Sequence, residues 1–199
     1  YIYLDKKIGE LTSYLPDDAT IMLVSDHGIQ KMQGGISIND WLIQKGYLVL
    51  KEELKEPTKI GTLISEDRID WSKTRAWGMG GYYGRLFLNV EGREPQGIVK
   101  QGEYEALRDE IIAELETITD EHGKNIGTKS FKPEEVYEQT NNIAPDLNIY
   151  FGNLTWRSMG TVGCESLWTH ENDTGPDDAN HAQEGMVIIS KGQVPREIT

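Results

Sequence analysis

Cysteine is nearly absent from this chain: Cys164 is the only one in 199 residues. No intrachain disulfide can form, and a lone thiol fits a reducing compartment, so a cytoplasmic location is expected. The thiol has no histidine partner in its local sequence and reads as a small, semi-buried apolar residue rather than a nucleophile. Cations are scarce as well. The 20 Lys and Arg face 33 Asp and Glu, for a net charge of −13. That balance excludes a protein that coats nucleic acid, which needs clustered Lys and Arg. A small substrate bearing phosphate stays compatible, because bound dications can reverse the local field.

Other absences narrow the chemistry. No apolar run is long enough to span a bilayer, and residues 1–6 lack the basic and apolar regions of a signal peptide. The chain opens on Tyr1 rather than an initiator methionine, so further sequence is expected upstream. There is no Walker-type glycine loop, no Gly-x-Ser-x-Gly turn and no metal-spaced cysteine cluster. Any catalytic signal must therefore rest on Asp and His.

The apolar residues that are present fall into short periodic segments. Leu4, Ile8, Leu11 and Leu15 share one side of a helix expected over 6–15, capped by Asp5 and ended by Pro16. The unbroken run Thr20-Ile21-Met22-Leu23-Val24-Ser25 predicts a strand buried on both faces, as in a parallel sheet covered by helices. A short helix with Trp41, Leu42 and Ile43 is expected to start at Ser37 or Asn39 and stop at Gly46, with a strand over 47–50. Residues 51–59 read as a charged surface connection. Strands are expected at 74–77 and 85–90, around the glycine-rich 78–81, and at 146–151 and 185–190.

The longest helix is expected over 103–119, with Tyr104, Leu107, Ile111, Leu115 and Ile118 as its stripe, and Pro133 opens a short one. The polar stretch 168–183 has no clear period and predicts a surface or functional loop. Strands interspersed with helices indicate an α/β architecture, sized for one sizeable domain or a large part of a bigger one.

Asp26-His27-Gly28 closes the first strand run. Open α/β sheets place ligands beyond the carboxyl ends of their strands. Gly28 permits a sharp turn, without which consecutive strand side chains point to opposite faces. His27 is on this ground a candidate metal ligand, with a structural hydrogen bond as the alternative. His181 precedes the apolar Met186-Val187-Ile188-Ile189 and could reach a sheet-edge site or stay in its loop. His170 reads as a solvated loop residue and a secondary candidate for substrate contact, and His122 as a partner of the last carbonyls of the long helix. Imidazole and carboxylate donors together suit zinc or manganese. Trp156 and Arg157 are candidates for a leaving-group pocket, since arginine pairs with phosphate and tryptophan stacks on bases. The alternative has Trp156 in the core and Arg157 at the surface.

Several segments taken in order carry a family resemblance. They are Val24-Ser25-Asp26-His27-Gly28, Ile38-Asn39-Asp40-Trp41-Leu42 with Gly46-Tyr47-Leu48, Leu86-Phe87-Leu88-Asn89-Val90-Glu91-Gly92-Arg93-Glu94-Pro95-Gln96-Gly97, Ala144-Pro145-Asp146-Leu147, and Thr174-Gly175-Pro176-Asp177-Asp178-Ala179-Asn180-His181 through Glu184-Gly185. The set resembles the alkaline phosphatase superfamily, and within it the type I phosphodiesterases and nucleotide pyrophosphatases. The resemblance implies an alkaline-phosphatase-like α/β fold with a mostly parallel sheet flanked by helices. Residues 1–199 would be the carboxyl-terminal portion of its catalytic domain. It implies a hydrolase of phosphoric esters with two divalent ions, usually zinc (manganese being the alternative), and a Thr or Ser nucleophile. Asp26 and His27 would bind one ion and His181 the other, polarising the phosphoryl oxygens and activating the nucleophile.

The chain also departs from that pattern. The nucleophile, a first metal-binding Asp and a further Asp/His pair belong upstream of Asp26, where only 25 residues precede and none is histidine. Thr12, Ser13 and Thr20 lack the expected setting. No catalytic residue is therefore expected within these residues, and the chain alone is expected to be inactive. The expected substrate is a small phosphate ester or nucleotide-like molecule. Competing readings are a catalytically silent metal- or ligand-binding module of the same fold, and a phosphoglycerate mutase or sulfatase relative. The Gly92-Arg93-Glu94-Pro95 segment favours the phosphodiesterase branch.

Overall fold

The computed structural model describes residues 1–164, 166–173, 175 and 178–191. In chain order they form α1 (Ile2–Thr12), β1 (Met22–Val24), β2 (Gly28–Lys31), β3 (Gly34–Ile36), α2 (Ile38–Gln44), β4 (Thr58–Lys59), α3 (Ile60–Ser65), β5 (Ala76–Met79), β6 (Gly84–Leu88), α4 (Tyr104–Leu115), β7 (Lys129–Phe131), α5 (Pro133–Val136), β8 (Leu147–Tyr150), β9 (Trp156–Ser158), β10 (Thr161–Val162), β11 (Trp168–Thr169), β12 (Ala179–Ala182) and β13 (Val187–Ile189). The chain is thus a mixed α/β protein, divided into two units. One takes Tyr1–Gly28 with the described part of Gln183–Thr199, and the other is Ile29–Ala182. No helix among the described residues is long and apolar enough to cross a membrane.

In the first unit, α1 begins three residues before the expected cap, so Asp5 lies in its first turn, where a carboxylate meets the positive end of the helix dipole. β1 pairs antiparallel with β13, Met22 opposite Ile189 and Val24 opposite Val187. The strand expected to be buried on both faces is instead open, with Met22 59% and Val24 62% exposed. The reason is a missing layer: a two-stranded ribbon cannot cover its own faces, and α1 contributes no buried residue.

The core of the second unit lies on a four-stranded sheet in the order β5-β6-β8-β7, antiparallel throughout. The expectation of a mostly parallel sheet is corrected here. Alternation along β6 buries Leu86 and Leu88 and leaves Arg85 and Phe87 on a partly open face, the two-sided pattern of antiparallel sheets. α4 covers this core with Leu107, Ile111 and Leu115, the stripe expected from the sequence. α2 buries Ile38, Trp41 and Leu42, and the Asn39 amide pairs reciprocally with the N–H and C=O of Gly78, at 2.8 and 2.9 Å, as a strand edge would.

The strand expected over 47–50 does not form. After the Gly46 turn, Tyr47 packs on Trp41 and donates its hydroxyl to Glu110, and only Leu50 bridges to Ile69. Their backbone instead makes scattered bonds, Tyr47 O accepting from Arg75 and Ala76 and Val49 O from Asp70, which do not build a ladder.

A three-stranded sheet, β11-β3-β9, runs beside this core, with β3 parallel to β9 and antiparallel to β11. Its close approach requires glycine: a Cβ on Gly34 would stand 2.7 Å from the Trp156 ring. β4 pairs with β10, and β2 with β12. The polar stretch 168–183, read from sequence as a loop, therefore contributes the two short strands β11 and β12. Of its motif residues, Thr174, Pro176 and Asp177 lie outside the described residues.

Candidate functional site

Asp26 and His27 follow β1 in the first unit. The Asp26 carboxylate is 91% exposed, and its Oδ1 stands 3.7 Å from Nε2 of His27, whose side chain is 41% exposed. His27 Nδ1 lies 2.8 Å from the Gly28 carbonyl oxygen. A carbonyl only accepts, so Nδ1 donates to it and the backbone sets the orientation of the ring. Gly185 packs onto the same turn: a Cβ there would lie 2.9 Å from the Ser25 carbonyl oxygen. The Ser25 N–H donates to Met186 O, and the Met186 N–H returns to Ser25 Oγ.

The donor types suit zinc or manganese, but their number does not complete a shell. Among the described residues no group of three or more His, Cys, Asp or Glu side chains is placed to hold a metal. A catalytic zinc takes three protein ligands. Asp26 and His27 supply two.

His181 belongs to the second unit. In β12 the preceding Asn180 is buried and donates from Nδ2 to the Leu154 and Tyr82 carbonyls. Strand alternation turns His181 to the other face, where its ring centroid lies 3.6 Å from that of Tyr82. Gln30 of β2 donates to the His181 carbonyl and holds the strand in place.

Tyr82 also contacts Arg157, whose guanidinium carbon is 5.0 Å from the ring centroid. Trp156 and Arg157 are consecutive in β9 and point to opposite faces. Trp156 packs in the core against Gly34 and Gly152, the alternative recognised for it from sequence. Arg157 is not at the surface: its side chain is 7% exposed, Nε has no hydrogen-bond partner among the described residues, and the Asp173 carboxylate is 4.0 Å away. His170 is exposed, with Nδ1 3.2 Å from the Gln33 carbonyl and Nε2 3.5 Å from Glu121.

The structure therefore joins Arg157 and His181 through Tyr82, a residue the sequence reading did not single out. Its signal was the Gly80-Gly81-Tyr82-Tyr83-Gly84 turn, two aromatic side chains set among glycines that cannot cover them. Two other family segments prove to be structural. Arg93 donates from Nη1 and Nη2 to the two oxygens of buried Asp146, both at 2.7 Å, so Gly-Arg-Glu-Pro and Ala-Pro-Asp-Leu meet in one ion pair. Asp40, in the Ile-Asn-Asp-Trp-Leu segment, accepts the N–H groups of Gly163 and Cys164.

No curated protein and no solved structure matches the chain. Residues 1–177 match the family model described as type I phosphodiesterase / nucleotide pyrophosphatase. A match over that share of 199 residues is membership: the chain belongs to the type I phosphodiesterase / nucleotide pyrophosphatase family, a family of phosphoester hydrolases within the alkaline phosphatase superfamily.

Proposed function

We propose that the chain is the metal-binding, carboxyl-terminal portion of a hydrolase that cleaves small phosphoric esters or nucleotide-like substrates. Asp26 and His27 would hold one divalent ion and His181 a second, zinc or manganese by donor type, with the remaining ligands and a Thr or Ser nucleophile contributed from outside these residues. Bound ions of this kind polarise phosphoryl oxygens and make a hydroxyl nucleophilic near neutral pH.

What the chain's own residues do follows from their chemistry. The Gly28 carbonyl accepts from His27 Nδ1 and orients the ring. The Tyr82 ring restrains the His181 imidazole by direct contact. Arg157 keeps a permanent positive charge beside that ring, which favours an anionic substrate. The observation that carries the reading is this shared ring: a residue type suited to phosphate and one suited to metal meet on Tyr82 in a chain of a phosphoester hydrolase family. The two-donor count at Asp26 and His27 favours a second reading, a silent module of the same fold.

Turnover of bis(p-nitrophenyl) phosphate at saturating zinc separates them, measured on the complete protein and on the 199-residue chain. The proposal expects turnover by the complete protein, none by the chain alone, and lower zinc content in His27→Ala and His181→Ala. Robust turnover by the chain alone, or unchanged zinc in both variants, would overturn it. A complete protein that binds zinc without turnover would establish the silent module.

A further inference from the structure

A cleft of about 330 Å³ opens beside Arg157, lined among others by Lys59, Gly80, Gly81, Gly160 and Asp173. Its floor is backbone. Residues 80 and 160 cross so closely that a Cβ on Gly80 would lie 2.3 Å from the Gly160 nitrogen, so no side chain can occupy that wall. The charge inside is unbalanced. Asp173 Oδ2 already accepts from Lys59 Nζ, the Gly160 N–H and the Thr161 hydroxyl. Its Oδ1 stays 4.0 Å from Arg157 Nε, beyond a hydrogen bond, and Nε is buried without a partner among the described residues.

A guanidinium carries five N–H donors in a planar fork and cannot shed its charge. Burying more than nine-tenths of one with a donor unmet is unfavourable unless an acceptor arrives. The Tyr82 face offers a cation–π contact but no hydrogen-bond acceptor in the plane of the fork. The acceptor that fits has two or more oxygens at the spacing of the fork and negative charge enough to draw on Lys59 as well. A phosphate group meets both conditions.

We infer that this cleft holds a phosphate group of a phosphoric ester through Arg157 and Lys59, without any metal. The inference rests on the phosphoester reading above and adds to it an anion contact made by Arg157 and Lys59. Arg157, which lines the cleft, touches the Tyr82 ring that also contacts His181, the proposed metal ligand.

Calorimetric titration of the chain in EDTA, with inorganic phosphate and with dimethyl phosphate as probes, tests the inference apart from catalysis. Both probes bind the unmodified chain, Arg157→Met binds them at least ten-fold more weakly, and Lys59→Ala about three-fold more weakly. Thermal melting provides the second readout. Without phosphate, Arg157→Met melts at or above the unmodified chain, because an unmet buried charge has gone; with phosphate, only chains that keep Arg157 gain melting temperature. Equal phosphate affinity in Arg157→Met overturns the assignment. Binding of inorganic phosphate but not dimethyl phosphate overturns the ester in favour of a free-anion site. Because EDTA removes metals, a failed turnover assay leaves this result standing, and the reverse also holds.

Discussion

Arg157 and His181 share the ring of Tyr82, the guanidinium at 5.0 Å and the imidazole centroid at 3.6 Å from its centre. The tie is made by the ring rather than the hydroxyl, and the Tyr82 carbonyl is held separately by Asn180. Substituting Tyr82→Phe should therefore leave kcat/KM of the complete enzyme within about two-fold. Tyr82→Ala should lower it about five-fold, the equivalent of one cation–π contact of about 1 kcal/mol. Steady-state kinetics on a phosphodiester checks both. Equal losses in the two variants would move the effect to the hydroxyl and dissolve the shared-ring account.

Asp146 is a structural anchor. Its carboxylate is 2% exposed and accepts two N–H groups of Arg93, the Tyr104 hydroxyl and the Leu88 N–H. Removing it strips the Arg93 guanidinium of two of its contacts, leaving it Glu94 and the Leu88 carbonyl, and takes the acceptor from the buried Leu88 N–H. Asp146→Ala should cost about 3 kcal/mol of unfolding free energy, the lower part of the range for a broken buried pair because Arg93 is partly open to water. Urea denaturation measures this. The residual folded protein should keep its phosphate affinity, since Asp146 lines no part of the Arg157 cleft.

Much of the second unit was legible because its periods are local. The stripe of α4 and the alternation of β6 each follow from a few consecutive residues and their own geometry. The exposure of β1 was not legible. An apolar run states a preference for burial, and the layer that would satisfy it is a property of the fold beyond that run. Arg157 failed for the same reason. Which face of β9 is buried depends on Gly34 on one side and on Tyr82 and Asp173 on the other, all remote in sequence. The Asp-His-Gly segment was legible as the end of the first strand, but the number of donors around it was not, since that number depends on parts of a chain remote from the segment.

Arg108 predicts a pH dependence. Its buried guanidinium meets Glu105 and Glu134, and Lys132 adds a second cation on Glu105. The Arg108 hydrogen bond holds Glu134 below the ordinary glutamate range, and Lys132 followed by Arg108 does the same for Glu105. A carboxylate whose folded pKa is depressed stabilises the fold above its unfolded value and loses that contribution as pH falls through the folded value. Stability should thus decline on acidification below about pH 4.5, where unfolded glutamates begin to protonate. Glu134→Gln should flatten the decline. Both carboxylates are well exposed, so added salt should shrink the effect. A Glu134→Gln curve parallel to that of the unmodified protein would exclude this pair as the source.

Cys164 should be slow to react. Burial is the main cause that pushes its thiol pKa up, and the Asp40 charge pushes the same way. Each unit of rise removes about ten-fold of the thiolate available near neutral pH, and the thiolate is the reactive form. Iodoacetamide at pH 7.5 should label the folded chain at least ten-fold more slowly than it labels the chain in urea. Asp40→Asn separates the two causes, because it removes the charge and leaves an oxygen to accept the Gly163 or Cys164 N–H. Labelling of that variant should accelerate only a few-fold and stay well below the unfolded rate, since burial is the larger cause. Folded Asp40→Asn reacting as fast as the unfolded chain would make the charge, rather than burial, the barrier. Labelling of the unmodified folded chain at the unfolded rate would show that the thiol is open to solvent.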